Sequence, residues 1–380
     1  MWKIQLCELN YDEREEKAVQ AILKSAWLTM GEVTKNFETE FANYHGRKHE
    51  CIAVSSATAG LHLGLMALGI GIGDEVIIPA LTFVSDANTV CQLGATPVFA
   101  DICGLNDLNV DVNDILLKIN EKTKAIVAVH FAGYPIDLTK LRDICDEKGI
   151  YLIEDVAHAP GAMINEKRCG TMGHLSFFSF FSNKNLATGE GGMVMTSDSG
   201  LANKIRSLRS HGMTSLTLDR HNGRSSSYDV VDVGLNYRID EIRSSIGLQQ
   251  LAKLDEGNKI RGELVNAYYE HLVDTSIILP NYMQENDTVV PAYHIMPVIL
   301  PEKLDRSVII DRLKTVGIQT SIHYPNFGSF KAYRSIYDPR VTRNTNEVTE
   351  RELTLPLHPK LSKYDIEFVC DNLKESMLNV

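Results

Sequence analysis

Apolar runs and helical stripes take turns along the first 155 residues. Residues 12–25 carry Ala18, Ile22 and Leu23 among charges, the spacing of one helix face. Residues 51–54 are a short apolar run that predicts a strand, and the small, hydroxylated stretch 55–60 opens a helix to about Leu68. Further strands are predicted over 75–79, 97–100, 125–130 and 151–154, separated by helices near 85–93, 112–119 and 138–148. Runs such as Ala125-Ile126-Val127-Ala128-Val129 suit strands covered on both faces. This alternation implies βαβ crossovers and a mostly parallel sheet between two helical layers.

The rhythm changes after Gly170. Strands over 175–180 and 193–196 flank a glycine-rich turn, a helix follows over 201–210, and 214–233 is polar with little periodicity. A segment of that length reads as a surface excursion. An amphipathic helix over 240–254 and a second to about His271 lead into a strand (294–300), a helix (304–316), a strand (318–323) and a closing helix (363–373). The expected fold class is α/β: a large αβα domain with a mostly parallel mixed sheet over 1–245, then a smaller C-terminal α+β domain over 246–380.

A chain of 380 residues that is 44% hydrophobic supports two or three domains. Thirty-eight basic against 49 acidic residues give a net charge of −11, which disfavours a nucleic-acid partner. A locally positive pocket remains compatible with that balance, because helix N-termini attract anions. No apolar run approaches the ~18–20 residues of a membrane span, and no signal peptide is visible, so no membrane partner and a cytoplasmic address are expected. Cys7, Cys51, Cys91, Cys103, Cys145, Cys169 and Cys370 are scattered, odd in number and free of CxxC pairs. They read as reduced core thiols, with no metal site. The sequon at 286–288 reads as chance.

Four clusters carry candidate chemistry. Ser55-Ser56-Ala57-Thr58-Ala59-Gly60 joins a strand to a helix, where free N–H groups suit a phosphate; an ordinary N-cap at Ser56 or Thr58 explains the same residues. Gly71-Ile72-Gly73 precedes a strand rather than following one, so it is no dinucleotide fingerprint. Glu154-Asp155-Val156-Ala157-His158 ends an apolar strand, where ligands gather in open α/β sheets. An aspartate there can hold a cationic ring nitrogen and the histidine can stack on a cofactor; both can equally be loop residues. Lys184 sits between an aromatic stretch and a glycine turn, either as a nucleophile of depressed pKa or as an exposed loop lysine, with Ser179 five residues before it. In Gly234-Leu235-Asn236-Tyr237-Arg238-Ile239-Asp240, Asp240 suits an N-cap, and Asn236 and Arg238 can reach a ligand or a partner subunit.

Phosphate turn, strand-end aspartate, then lysine after an aromatic strand is the layout of a pyridoxal phosphate enzyme of fold type I. The chain resembles the DegT/DnrJ/StrS sugar aminotransferases over nearly its whole length. The resemblance runs from Trp27-Leu28-Thr29-Met30-Gly31 through Ser55-Ser56-Ala57-Thr58-Ala59, Gly73-Asp74-Glu75-Val76-Ile77-Ile78-Pro79 and Glu154-Asp155. It continues in Lys184-Asn185-Leu186-Ala187-Thr188-Gly189-Glu190-Gly191-Gly192, Asn236-Tyr237-Arg238, His323-Tyr324-Pro325 and Leu355-Pro356-Leu357-His358-Pro359.

The resemblance implies roles position by position. Lys184 matches the catalytic lysine that binds the cofactor covalently, and Asp155 the carboxylate paired with the pyridine nitrogen. His158 matches a position near the ring oxygen, and Phe83 the aromatic over one ring face. Ala57, Thr58 and Ser179 match the phosphate cradle, and Asn236 an asparagine that reaches the neighbouring subunit's phosphate. Thr29, Gly31, Arg238, His323 and Tyr324 are the expected substrate contacts. Phe181-Ser182-Asn183 departs from the family, where His, a small residue and Thr or Ser often precede the lysine.

The implied enzyme uses pyridoxal 5'-phosphate, with pyridoxamine 5'-phosphate as the intermediate form. It is expected to be a homodimer with shared active sites. It would move an amino group, usually from L-glutamate, to a keto-sugar, most often a nucleotide-activated keto-deoxysugar. Such products enter polysaccharide, lipopolysaccharide or antibiotic-sugar biosynthesis. The alternatives are a keto-sugar without a nucleotide or a keto-cyclitol, and a non-catalytic regulator of the same fold. A dehydratase branch carries histidine in place of the lysine, and Lys184 stands against it.

Overall fold

Seven strands form one mixed sheet in the spatial order Glu50–Val54, Gly192–Thr196, Leu175–Ser179, Tyr151–Asp155, Thr123–Val129, Glu75–Pro79, Thr96–Ala100. The computed structural model describes residues 2–215, 223, 227–280 and 288–378. Parts of the 214–233 excursion, and Asn286 and Asp287 of the sequon, lie outside the described residues. Gly192–Thr196 runs antiparallel to both neighbours, and the other six strands all run in one direction. Val129 pairs with Asp155, and Asp155 with Phe177, so three strands end side by side.

Alternate residues of each strand enter different cores. Ile52, Val54, Val76 and Ile78 pack with Leu61, Leu65, Val90 and Ile205 of the helices Ala57–Ala67, Ser85–Gln92 and Ser199–Leu208. On the other face, Cys51, Ala53, Phe178 and Met193 meet Phe37 and Phe41 of Glu32–Tyr44, while Ile126 and Leu152 meet Leu141 and Cys145 of Thr139–Lys148. A third core joins Met296–Ile299 and Glu352–Leu355, an antiparallel pair, to the helices Arg306–Thr315 and Lys363–Ser376. No helix among the described residues is long and apolar enough to cross a membrane.

Four sequence expectations are corrected. The two helices expected over 240–271 are one 32-residue helix, Glu241–Leu272. Its glycines are used for close packing: a Cβ on Gly262 would lie 2.8 Å from the Tyr293 ring. Residues 318–323 make only isolated bridges, Ile318 to Ile4 and Ser321 to Thr354. The polar pattern of 343–351 hid a helix, Arg343–Arg351, and the strand Glu352–Leu355 after it. All seven cysteines are free, but only Cys51, Cys145, Cys169 and Cys370 are buried; Cys7, Cys103 and Cys91, the last on the outer face of the helix Ser85–Gln92, are exposed.

The long helix also organises the start of the chain. Glu241 accepts from the amides of Gly31 (2.8 Å), Val33 (2.9 Å) and Thr34 (2.8 Å) and from the Thr34 hydroxyl (2.6 Å). A carboxylate from one helix thus caps the N-terminus of Glu32–Tyr44, supplying the acceptor its first-turn amides need. A Cβ on Gly31 would fall 2.5 Å from the Trp27 indole nitrogen, so the approach requires glycine. Glu241→Ala should destabilise the fold by roughly 3 kcal/mol, since hydrogen bonds to charged groups contribute about 1.5–3 kcal/mol each and solvent recovers part of the loss. Urea unfolding tests this; an unchanged midpoint would contradict the capping role.

Candidate active site

The strand Tyr151–Asp155 divides two neighbouring carboxylates. Glu154 points away from the strand ends and accepts from His130 Nε2 (3.0 Å) and from the amides of Gly170 (2.7 Å), Met172 (2.7 Å) and Gly173. His130 Nδ1 accepts from the Ile136 amide (3.0 Å), so the ring proton that Glu154 accepts is on Nε2. Glu154 is therefore a clasp for the 170–173 turn. Asp155 points the other way, accepts from the Ala157 amide (2.7 Å), and lines a cavity of about 390 Å³.

Lys184 enters that cavity from the loop after Leu175–Ser179. The loop is pinned at both ends: Phe180 N–H donates to Gly191 O (2.9 Å), Thr188 N–H to Phe180 O (2.8 Å), and Lys184 N–H to Phe181 O (2.9 Å). Gly191 stands where a Cβ would come 2.5 Å from the Thr188 hydroxyl. A Cβ on Gly192 would meet the Ser56–Ala57 peptide at 2.6–2.7 Å, so glycine lets the lysine loop abut the helix start. Ser56 caps that helix by accepting from Ala59 N–H (3.1 Å), with Ala57 and Thr58 in the first turn.

The other walls come from elsewhere in the chain. His158 Nδ1 accepts from the Ala132 amide (3.3 Å), so its Nε2–H donates to the Tyr324 hydroxyl oxygen (2.9 Å). Tyr324 thereby keeps its own proton available to the cavity. Phe83 lies 5.7 Å from the Tyr324 ring and remains 53% exposed, an aromatic face open to a ligand. His323 lines the cavity and bonds the Thr354 hydroxyl (2.8 Å).

Burial sets the charges. It pushes the Lys184 ammonium below the ordinary lysine range, with the Asp155 carboxylate opposing, and it pushes the Asp155 carboxyl up. Asp86, fully buried behind the wall, is raised well above the usual range by burial and then by Asp155; Thr82 donates to it (2.6 Å). Burial also holds His158 well below its ordinary value and His323 near about 4, with Lys184 adding to both effects.

Of the residues singled out from sequence, Ala57, Thr58, Phe83, Asp155, His158 and Ser179 line one cavity with Lys184, His323 and Tyr324. Thr29, Gly31, Asn236 and Arg238 are not in that lining. Gly31 is engaged by Glu241. Asn236 bridges to Ser210, and half-buried Arg238 bridges to Val54, the residue before the Ser55 turn. Sequence reasoning missed Asp86, Asn183 and His294. A buried aspartate two residues after the Thr82-Phe83-Val84 run and a histidine leading the apolar run 295–300 were the available signals.

The model of the DegT/DnrJ/EryC1/StrS aminotransferase family matches residues 10–374. The chain is 37% identical over 369 residues to the uncharacterized protein MJ1066 of Methanocaldococcus jannaschii, a match covering 96% of this chain and 95% of that one. Among solved structures, the aminotransferase TlmJ from Streptoalloteichus hindustanus superposes with a TM-score of 0.90 at 31% identity, covering 98% of each chain. The putative sugar aminotransferase Spr1654 from Streptococcus pneumoniae, in its PMP form, does so with a TM-score of 0.91 at 27% identity, covering 98% of each chain.

The cavity fits a phosphorylated pyridine. Its wall includes a helix first turn for a phosphate, a buried carboxylate for a ring N–H, an aromatic face and one amine. Asn183 Oδ1 is buried there with no partner among the described residues, a polar atom left for a ligand to meet. The electrostatics predict one behaviour of the cofactor-free protein. Asp155→Asn removes the charge that favours the Lys184 ammonium, so Lys184 should titrate at still lower pH. The pH midpoint of Lys184 acylation, read by peptide mass spectrometry, should fall by about one unit; a rise would contradict the pairing.

Proposed function

The chain belongs to the DegT/DnrJ/EryC1/StrS aminotransferase family, and on that premise we propose that it moves an amino group from L-glutamate to a nucleotide-activated keto-deoxysugar. The enzyme is a pyridoxal 5'-phosphate-dependent sugar aminotransferase. The observation that carries the reading is the buried Lys184 amine beside the buried Asp155 carboxylate in one cavity. When bound, the cofactor supplies an electron sink and carries the amino group between the two half-reactions.

The chain's own residues divide the remaining work. Asp155 would hold the proton on the ring nitrogen. The first turn at Ala57 and Thr58, with Ser179, would hold the phosphate through amide and hydroxyl donors. Phe83 would cover one ring face, and His158 with Tyr324 would offer a hydroxyl proton toward the ring oxygen. Lys184, whose ammonium burial makes easier to deprotonate, would take a proton from the donor α-carbon and hand it on within the bound group. His323 and Tyr324 border the space left for the sugar. Lys184→Ala should keep its melting midpoint and lose transfer from glutamate by at least about 10³-fold, within the range a positioned acid–base group contributes. Near-normal turnover in a panel of nucleotide keto-sugars would remove this mechanism.

We also propose a homodimer whose sites are shared. Asn236 and Arg238 do not line the cavity of their own chain and lie in a segment tied to Ser210 and Val54. In that position they suit a second copy's phosphate and sugar, as do Thr29 and the turn around Gly31. Mixing Lys184→Ala subunits with Asn236→Trp subunits should raise activity above either parent, because one hybrid site then carries both lesions and the other none. Equal activity before and after subunit exchange would place Asn236 in its own chain's site.

A further inference from the structure

Lys184 does not end freely in the cavity. Its Nζ donates to His294 Nε2 at 3.2 Å. His294 Nδ1 lies 3.0 Å from Asn185 Oδ1. The Asn185 amide nitrogen donates to Ala292 O (2.7 Å) and Asn258 Oδ1 (2.8 Å), so the oxygen faces the imidazole. Asn258 in turn donates to Pro160 O (2.9 Å). Read along this chain of bonds, the tautomer is determined: Nδ1 carries the proton and Nε2 presents a lone pair. The imidazole is 3% exposed, and its centroid lies 4.6 Å from that of His158 with the rings tilted by 43°.

We infer that His294 is a positioning residue for Lys184, a neutral acceptor that fixes one N–H of the amine and steadies the ammonium formed when the lysine takes a proton. The inference rests on the proposed function only for its effect on turnover; the hydrogen bond itself belongs to the chain without cofactor. Fixing one N–H turns the amine's lone pair away from His294. When the amine accepts a proton, the contact becomes a charge-assisted bond and strengthens. A protonated imidazole would do the opposite, and the surroundings prevent it. The groups facing His294 are Lys184, His158, Arg261 and His323, and burial with these positive or neutral neighbours keeps the ring uncharged. The groups around Lys184 are Asp155, His294, His158, His323 and Tyr324, with Asp155 the buried carboxylate that opposes burial at the amine; Glu190 lines the same cavity from its exposed side.

The anchoring residues come from separate parts of the chain. Asn185 follows the lysine, Asn258 is on the long helix, and His294 leads into the strand Met296–Ile299. The lysine's position is thus set in part by elements outside its own loop.

The test compares His294→Phe, which removes the acceptor, with His294→Gln, whose amide oxygen can replace Nε2. In cofactor-free protein, the acylation midpoint of Lys184 should fall by about one unit in His294→Phe, since a neutral acceptor favours the ammonium. In His294→Gln it should stay near that of the parent. In the holoenzyme, His294→Phe should lower kcat about tenfold with the donor KM unchanged, a split expected of a group acting on proton transfer. If His294→Phe fails to fold, Asn185→Ser decides: it keeps the imidazole but frees its tautomer, and a smaller fall is expected. An unchanged midpoint in the folded variant overturns the inference, even if Lys184→Ala has confirmed the aminotransferase. An equal fall in His294→Gln overturns it too.

Discussion

The site depends on one amine and one carboxylate being held in the same cavity while almost everything around them stays neutral. Neither group would choose this location: burial penalises both charges, and each opposes the other's discharge. The balance works because the neighbours add hydrogen-bonding capacity without adding charge. Three imidazoles face the lysine and all are held in the neutral form. Asp86, the second carboxyl near Asp155, is pushed toward its protonated form. A cavity of this kind can change the state of a proton at Lys184 with little competition from other titrating groups.

Such a balance is useful only if the walls do not relax, and the sequence spends several buried charges on that. Glu154 gathers three backbone amides and an imidazole, which fixes the turn behind the strand that ends in Asp155. Glu241 gathers three amides and a hydroxyl, which fixes the long helix against the first layer. Both carboxylates receive enough donors to offset their desolvation, the condition under which a buried ion is tolerated. Adjacent in sequence, Glu154 and Asp155 illustrate the division: strand geometry sends one to structure and the other to the site.

Much of this was legible in the chain. The strand–helix alternation before residue 155 predicted the parallel core of the sheet, because a strand buried on both faces leaves an unbroken apolar run. The order of the Ser55 turn, Asp155 and Lys184 was legible because each ends or follows a strand of the sheet. What failed to show has a physical reason. The strand Glu352–Leu355 begins with a buried glutamate and holds a buried threonine, so its polarity imitates a loop. The helix Glu32–Tyr44 takes its cap from Glu241, over two hundred positions away, and no local capping residue announced it.

His294 was hidden for a related reason. Its surroundings in sequence are those of a residue opening an apolar strand, and a lone histidine there is ordinarily a satisfied core residue. It becomes part of the site only because Tyr293 packs on Gly262 of the long helix and the backbone amide of His294 donates to Ala132 O (2.8 Å), which brings the segment over the lysine loop. The same contacts tie the C-terminal core to the sheet. Positioning of the lysine is therefore a property of how the two halves of the chain meet. A substitution that loosens that junction disturbs Lys184 without touching any residue at the strand ends.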